Sequence, residues 1–235
     1  MGLTKPARGW RITDDRWDDI YRGIEGLWLM NEGTGTIVAD SSGHGRHGTA
    51  IGGPVWQAGA TGWQLSLDGT NDYISVPVPA SVWVNDYTIA ARVYPTQTDN
   101  LARGIVQVSN AGNTNFGRIW MQYNGATGFL RFIEYNTTPF AHSVGPDVAA
   151  SMMSIAMTRA GVTITGYHNA AASAPATFGG TQQVAGTTVR IGAVHDGTNL
   201  VRYGKGPVSY VAIWSRALSA QEVRRLHEQP PWMVG

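Results

Sequence analysis

The side chains best suited to bind a ligand lie in the middle of the chain, on two neighbouring candidate strands. They are three aromatic residues, Trp120, Tyr123 and Tyr135, together with Arg131. Sugars are held by an aromatic ring beneath the C–H face of the pyranose and by a few planar polar groups around it. These four residues could therefore line a glycan-binding face of a sheet. The alternative is that the aromatic residues are core, because aromatic side chains provide much of the packing in protein interiors.

Two histidines form a second candidate site. His44 and His47 are three residues apart in a glycine-rich segment, a spacing at which two imidazoles can chelate a transition metal. A zinc site needs three or four protein ligands, and the neighbouring sequence offers no third one. We therefore interpret the two histidines as part of a solvated turn.

The carboxylates are not spaced for hydrolysis of a glycosidic bond. Retaining hydrolysis uses two carboxyl groups roughly 5 Å apart, which alternate positions of one strand can provide. Glu134 lies alone on its candidate strand, and Asp99, Asp147 and Asp196 lie among turn-forming residues. The chain also lacks the Gly-x-Ser-x-Gly sequence that positions a serine nucleophile. The sequence thus predicts a protein without a catalytic residue.

The composition defines the class of protein that carries these side chains. Of 235 residues, 43% are hydrophobic and 14% are charged, and cysteine is absent. A chain of this length buries enough surface to fold without disulfide bonds. Because 17 basic residues face 16 acidic ones, the charge balance gives no basic surface for nucleic acid. No apolar run approaches the ~20 residues that cross a membrane, so we expect neither nucleic-acid binding nor membrane insertion.

Hydrophobic alternation predicts that most of the chain forms short β-strands. The segments 89–94, 153–158 and 208–215 have a period of two, and a run of turn-forming residues at 68–72 separates two further segments. Many short strands favour a two-sheet sandwich or a barrel.

One segment near the C-terminus predicts a helix instead. Ser219 and Glu222 have the spacing of a capping box, in which each side chain accepts a hydrogen bond from the other residue's backbone N–H. Pro230 and Pro231 end the helical pattern.

The first 24 residues differ from the rest of the chain, and we define residues 1–24 as the N-terminal strap and residues 25–235 as the sandwich domain. In the strap, charges of both signs alternate around Trp10, Trp17 and Tyr21. The strap is either a solvated segment laid on the sandwich or an assembly arm that orders against a neighbouring subunit. The N-terminus lacks the apolar core of a secretory signal, so we expect synthesis in the cytoplasm.

Two sequence stretches resemble a known family. One runs from Gly26-Leu27-Trp28 through Asp40-Ser41-Ser42-Gly43 to Leu67-Asp68-Gly69, and the other is Val211-Ala212-Ile213-Trp214-Ser215-Arg216. Together they resemble the opening and closing motifs of laminin-G-like domains of the concanavalin A-like superfamily. The resemblance implies an all-β fold, a two-sheet antiparallel jelly-roll sandwich with one short C-terminal helix, in which the two motifs pair as neighbouring strands. The strap and the closing residues 230–233 also resemble versions found in tailed bacteriophages.

The same resemblance implies a calcium site. In this family the acidic residue of the Asp-Ser-Ser-Gly loop often helps to hold calcium, and Asp40 occupies that position. However, His44, Arg46 and His47 stand where the family usually has Asn or Asp, which removes oxygen ligands and adds a cation. The alternative is that Asp40 caps its own turn by accepting backbone N–H groups.

Three functions follow from these observations. The first is a non-catalytic structural or decoration protein of a bacteriophage virion. It would be made in the host cytoplasm, displayed on the virion surface as a homo-oligomer, and anchored to other virion or capsid proteins through residues 1–24; it could also bind a host glycan. The second is a carbohydrate-binding, lectin-like module of an extracellular or cell-surface protein. The third, a glycoside hydrolase or lyase, has only the scaffold in its favour. We expect the first.

Overall fold

The computed structural model describes most of the sandwich. The described residues are 18–97, 101–109, 119–124, 129–135, 139–144, 151–177, 186–195 and 199–229. At residues 119–124, 129, 133–135 and 139–144 the description covers the backbone path and the strand pairing. No helix within these described ranges is long and apolar enough to cross a membrane.

The described residues form two large antiparallel sheets, a two-stranded hairpin and three short helical segments. The nine-stranded sheet contains β1 (Ile24–Trp28), β4 (Val55–Gly59), β5 (Gly62–Asp68), β7 (Tyr87–Val93), β12 (Met153–Ala160), β13 (Thr163–His168), β14 (Ala171–Ala172), β15 (Ala176–Thr177) and β19 (Lys205–Trp214). The eight-stranded sheet contains β2 (Ile37–Val38), β3 (Gly48–Ile51), β6 (Tyr73–Pro77), β8 (Ala102–Ser109), β9 (Ile119–Asn124), β10 (Phe129–Tyr135), β11 (Pro139–Val144) and β16 (Thr188–Ile191). The hairpin is β17 (Val194–His195) with β18 (Leu200–Val201), and the helical segments are α1 (Asp18–Tyr21), a 3-10 turn (Ala80–Trp83) and α2 (Ala220–Glu228).

The main core lies between the two large sheets. The alternation of β6 shows how it is built: Ile74 and Val76 are fully buried in the core, whereas Tyr73 and Ser75 on the other face are half-buried. Core residues come from both sheets and include Trp28 and many β-branched side chains. The predicted all-β jelly-roll sandwich is therefore confirmed.

The strands formed by the two end motifs lie side by side. In β1 and β19, Leu27 pairs with Ala212 and Trp28 pairs with Val211. This is the pairing that the family resemblance implied. It joins the beginning of the sandwich domain to its last strand.

The outer face of the nine-stranded sheet is apolar and is covered by helices. Tyr210, Ala212 and Trp214 of β19 pack there beneath Val223 and Leu226 of α2. The predicted capping box starts this helix, because Ser219 and Glu222 each accept a hydrogen bond from the backbone of the other. The C-terminal helix is confirmed, and α1 and the 3-10 turn are additional short segments that periodicity did not indicate.

The last part of the N-terminal strap is packed against the same face. Ile20 is buried in the outer cluster, and its carbonyl oxygen accepts a hydrogen bond of 2.7 Å from Trp214 Nε1. Arg216 Nε donates to the carbonyl oxygen of Arg22 at 2.6 Å. The end of the strap thus packs against the sandwich. Residues 1–17 lie outside the described residues, so the assembly-arm hypothesis for the strap stays a prediction.

Candidate binding face of the eight-stranded sheet

A row of paired positions crosses the outer face of the eight-stranded sheet, and the first three of its residues are polar. Strand register aligns Ser75 on β6 with Arg190 on β16, and Arg190 with Gln107 on β8. The row continues through Trp120 on β9 to Ile133 on β10. Directly paired positions of antiparallel strands share one face of the sheet, so these five positions form one transverse row.

Arg190 brings a positive charge to this face. It is only 7% exposed, and its Nη1 donates a hydrogen bond to Ser109 Oγ on the neighbouring strand. Burial lowers the pKa of the guanidinium, and the nearby Tyr73 phenol opposes that shift. An arginine remains charged well above neutral pH, so Arg190 is a buried cation in this part of the sheet.

Gln107 fixes a hairpin over the middle of the row. Its Nε2 donates to the carbonyl oxygen of His195 at 3.0 Å, and its Oε1 accepts from the backbone N–H of His195 at 2.6 Å. The side-chain amide therefore mimics a neighbouring strand for β17. As a result, Gln107 is fully buried although it lies on the outer face of the sheet.

Tyr73 lies near Arg190, and Tyr203 packs against Tyr73. The rings of Tyr73 and Tyr203 have centroids 6.4 Å apart and planes inclined by 44°. Both side chains are half-buried, and burial, then the neighbouring Tyr73, raises the pKa of Tyr203. The Tyr203 phenol is therefore neutral at physiological pH, and each tyrosine offers both a ring surface and a hydroxyl group. Sequence reasoning missed this pair because its members are far apart in the chain.

The structure gives the backbone positions of the four residues that the sequence predicts to bind a glycan. Arg131 is exposed on the outer face, because its neighbours Leu130 and Phe132 are buried in the core. Trp120 pairs with Gln107, whereas Tyr123 pairs with Leu130, a core-facing position. Tyr135 is two residues from Ile133 on β10 and shares its face by strand alternation. The side chains of Trp120, Tyr123 and Tyr135 lie outside the described residues, so the four-residue platform stays a prediction.

Asp40 is buried and binds the edge of β1 that faces away from β19. Its Oδ1 accepts hydrogen bonds from Leu27 N at 3.0 Å and Ser42 N at 2.9 Å, and its Oδ2 accepts from Arg46 N at 3.0 Å. Leu27 O accepts in addition from Ser41 N at 2.7 Å. The loop is tied down further by Trp28 Nε1, which donates to Arg46 O at 2.9 Å.

These contacts do not fit a calcium ligand set. Calcium takes six to eight oxygen ligands, and three backbone N–H groups already use most of the lone pairs of Asp40. Arg46 of the same loop brings a cation, which forms an ion pair of 2.8 Å with Glu25. Within the described ranges no group of three or more His, Asp or Glu side chains could hold a metal ion. The arrangement suits the capping role, and calcium at Asp40 stays an untested hypothesis.

The two histidines of this loop contact different partners. His47 Nδ1 accepts from the backbone N–H of Asp40 at 3.0 Å, whereas His44 Nδ1 lies 3.2 Å from Ser42 Oγ. The His47 contact stabilises the loop, whereas the His44 contact is exposed to solvent. Both contacts agree with a turn.

Two interacting carboxylates, Asp68 and Asp72, belong to the turn between β5 and β6. Asp68 Oδ1 accepts from Thr70 N at 2.7 Å, and Asp72 Oδ2 accepts from Asp68 N at 2.9 Å. The Thr70 hydrogen bond lowers the pKa of Asp68, whereas burial raises the pKa of Asp72. Although their pKa values move apart as in an acid–base pair, both carboxylates bind the turn that contains them, and Asp72 is buried.

A small apolar pocket opens at one end of the sandwich. Its volume is about 290 Å³ including the mouth, and its walls include Leu67, Ile105, Val208 and the backbone of Gly204. The Gly204 N–H donates to Gly192 O at 2.7 Å, so the pocket wall offers few hydrogen-bonding groups there. The pocket suits a small apolar group better than a sugar ring.

Comparison with protein families identifies the superfamily to which this fold belongs. Residues 68–224, well over half of the chain, match a laminin G family described as the concanavalin A-like lectin/glucanases superfamily. The chain belongs to this superfamily. No curated protein matches the sequence.

Several solved structures share the fold at low sequence identity. A botulinum neurotoxin type C structure, concerned with cell entry through two ganglioside molecules, has a TM-score of 0.71 and 10% identity, with 92% of this chain and 53% of that chain covered. A Trypanosoma rangeli sialidase in complex with sialic acid has a TM-score of 0.69 and 14% identity, with 90% and 34% covered. The binding domain of Paraclostridial mosquitocidal protein 1 has a TM-score of 0.70 and 14% identity, with 88% and 52% covered. This chain therefore spans about half of the toxin chains and a third of the sialidase, and the likeness shows a lectin-like fold.

Proposed function

We propose that this chain is a non-catalytic, lectin-like module that binds glycan on the outer face of the eight-stranded sheet. The observation that carries the proposal is the half-buried Tyr73–Tyr203 ring pair, together with Arg131, which is exposed on the outer face of β10. A sheet face that sealed the core would carry apolar side chains, as the nine-stranded sheet does beneath α2. This face instead carries rings, hydroxyl groups and guanidinium groups, which are the groups that sugars need.

The chemistry of the face is divided along the row. Tyr73 and Tyr203 offer ring surface for the C–H face of a pyranose and hydroxyl groups for its oxygens. Arg131, exposed on β10, offers planar N–H donors at the other side of the hairpin. Trp120 would add a second ring between them, as the sequence predicts.

The hydrogen bonds of three described carboxylates favour binding over hydrolysis. Asp40 binds three backbone N–H groups, and Asp68 and Asp72 bind their own turn. Carboxylates used in this way are not placed on a substrate, whereas a glycosidase needs two that flank the scissile bond. Several of the structural neighbours are binding domains, and two were studied with gangliosides or sialic acid, which supports a glycan as the ligand class.

The second candidate, which combines with the first, is display on a bacteriophage virion. Residues 18–24 leave the sandwich on the nine-stranded side, opposite the polar face. An anchor formed by residues 1–17 on capsid or other virion proteins would therefore leave the polar face directed away from the particle. In this role the chain would be a homo-oligomeric decoration protein on the virion surface. The alternative setting is the surface of a cell.

Glycan-array screening followed by titration calorimetry tests the binding proposal. We expect Tyr73→Ala and Arg131→Ala each to weaken binding of the best glycan by about tenfold or more, the loss of one good contact. Arg224→Ala is the matched control, because Arg224 is exposed on α2 at the opposite side of the sandwich. Binding that survives both face variants, or no binding to any glycan, would contradict the proposal.

Deletion of residues 1–17 tests display. This deletion keeps Ile20 and its hydrogen bond to Trp214, so the sandwich should melt as before. We expect the shortened chain to bind the same glycan and to lose its association with virion particles in a sedimentation assay. Equal association of both chains with the particles, or none for the full chain, would remove the anchoring role.

A further inference from the structure

The free edge of β4 is the most open strand edge in the described part of the nine-stranded sheet. β4 is the last strand of the sheet and pairs on one side with β5, from Val55 opposite Ser66 to Gly59 opposite Gly62. Within the described ranges, no further main-chain hydrogen bond reaches its other side. An edge strand of this kind presents a row of backbone groups to which another strand can add.

The direction of these backbone groups follows from the hairpin. A two-residue loop, residues 60–61, joins β4 to β5, so Gly59 and Gly62 close it as a hydrogen-bonded pair. Antiparallel pairing alternates from there, which directs the N–H and C=O groups of Trp56 and Ala58 to the free edge.

Nothing in the sequence of β4 blocks such an addition. Proteins protect their edges with lysine, proline, bulges or very short strands. β4 has five residues, no charge, no proline and a register without a bulge, and Val55 is 64% exposed. The contrast within the same sheet is β1, whose edge is occupied by Asp40 and Ser41 through Leu27. Two other edge strands of this sheet, β14 and β15, have only two residues each, as does β2 at the edge of the eight-stranded sheet.

We propose that β4 pairs antiparallel with β4 of a second copy of this chain, about a two-fold axis at Gln57. This register places Trp56 opposite Ala58 and Val55 opposite Gly59, so that each large side chain faces a small residue. It also makes Trp56 and Ala58 the hydrogen-bonded pairs, which uses the four N–H and C=O pairs that face the edge. A charged partner strand would find no countercharge on β4, whereas an identical strand fits in shape and in hydrogen bonding.

The dimer joins two nine-stranded sheets into one continuous sheet. Its two polar faces then lie on the same side, so two copies of the proposed binding face act together. A five-residue strand pair is short compared with stable interfaces, which bury about 1,200–2,000 Å². We therefore expect a dimer that dissociates on dilution.

Charge reversal at the two-fold axis tests the proposal by analytical ultracentrifugation of the full chain over a concentration series. Gln57→Lys and Gln57→Glu each place like charges directly opposite, and we expect each to raise the dimer dissociation constant by about tenfold or more. A one-to-one mixture of the two variants should regain the wild-type dimer, because Lys then faces Glu. Val162→Lys, at a 52% exposed turn residue remote from β4, is the matched control and should dimerise as the wild type does.

Equal melting temperatures show that the variants fold. Ala58→Pro offers an independent block, since it removes an N–H that faces the free edge and spares the bonds to β5. A wild-type monomer at every concentration would overturn the proposal. So would a dimer that the Gln57 and Ala58 variants leave intact, or charged variants whose mixture stays monomeric.

Discussion

The outer faces of the two sheets are built from the same alternation and serve different ends. On the nine-stranded sheet, Tyr210, Ala212 and Trp214 are apolar or aromatic, and α2 and Ile20 cover them. On the eight-stranded sheet, the corresponding outer positions are Ser75, Arg190 and Gln107, and a hairpin covers only part of them. Burial on the first face stabilises the fold. On the second, the buried Gln107 and Arg190 make hydrogen bonds, which offset the cost of burying them. Tyr73, Tyr203 and Arg131 of this face stay at least partly exposed.

The largest expected effect comes from opening the sealed face. Trp214→Ala removes a fully buried indole and its hydrogen bond to Ile20 O, and we expect a loss of about 3–5 kcal/mol in the free energy of unfolding. Urea denaturation measures it. Trp214→Phe keeps most of the ring and should cost far less. A small loss for Trp214→Ala would mean that the strap and α2 do not seal this face.

The next effect concerns the hairpin on the polar face. Gln107→Ala leaves both backbone groups of His195 without their side-chain partner, and we expect a loss of about 2–3 kcal/mol. Hydrogen exchange at Val194 and His195 should accelerate while the nine-stranded sheet stays protected. Gln107→Glu keeps the acceptor for His195 N but buries a carboxylate against His195 O, so it should destabilise as well. Unchanged exchange in the hairpin would show that Gln107 does not hold it.

A smaller effect belongs to the start of α2. Ser219→Ala removes the cap and should cost about 1 kcal/mol, whereas Ser219→Asp, another capping residue, should cost little. Thermal melts at neutral pH measure both. Equal melts for Ser219→Ala and the wild type would show that the packing of Val223 and Leu226 alone starts the helix.

Acid should weaken the same region through Glu222. Burial raises its pKa, but hydrogen bonds from Arg216 and Ser219 outweigh it and hold the pKa below 4.5. Because the unfolded state then binds the proton more readily, this stabilisation is present above pH 4.5 and is lost as the pH falls through the folded-state pKa. The pair is partly exposed, so the change is under ~1 kcal/mol. Glu222→Gln should flatten that part of the pH–stability curve; an unchanged slope would contradict the assignment.

The smallest expected effect is that of a chelator. Asp40 already accepts three backbone N–H groups, so we expect the same melting temperature with calcium and with EDTA. Asp40→Asn should nevertheless destabilise, because an amide N–H₂ would meet the N–H groups that the carboxylate now accepts. A calcium-dependent melt that Asp40→Asn abolishes would restore the metal hypothesis.

Much of the fold could be predicted, and the binding face could not. The motifs around Trp28 and Trp214 implied the pairing of β1 with β19, and Ser219 with Glu222 predicted the start of α2. Both depend on local patterns or on a family resemblance. Tyr73 and Tyr203 carry no such signal, because neither residue is unusual for its strand or loop.

By itself the sequence determined the class of fold, the main strands, the C-terminal helix and the absence of a spaced carboxylate pair on one strand. Those features depend on period-two alternation and capping, which act over a few residues. Only the tertiary structure decided that Ser75, Arg190, Gln107 and Trp120 form one row. It also decided that β1 has a protected edge, while β4 has an edge to which no other described strand pairs. Alternation fixes which residues share a face of a strand, but the order of strands in a sheet depends on contacts between distant segments.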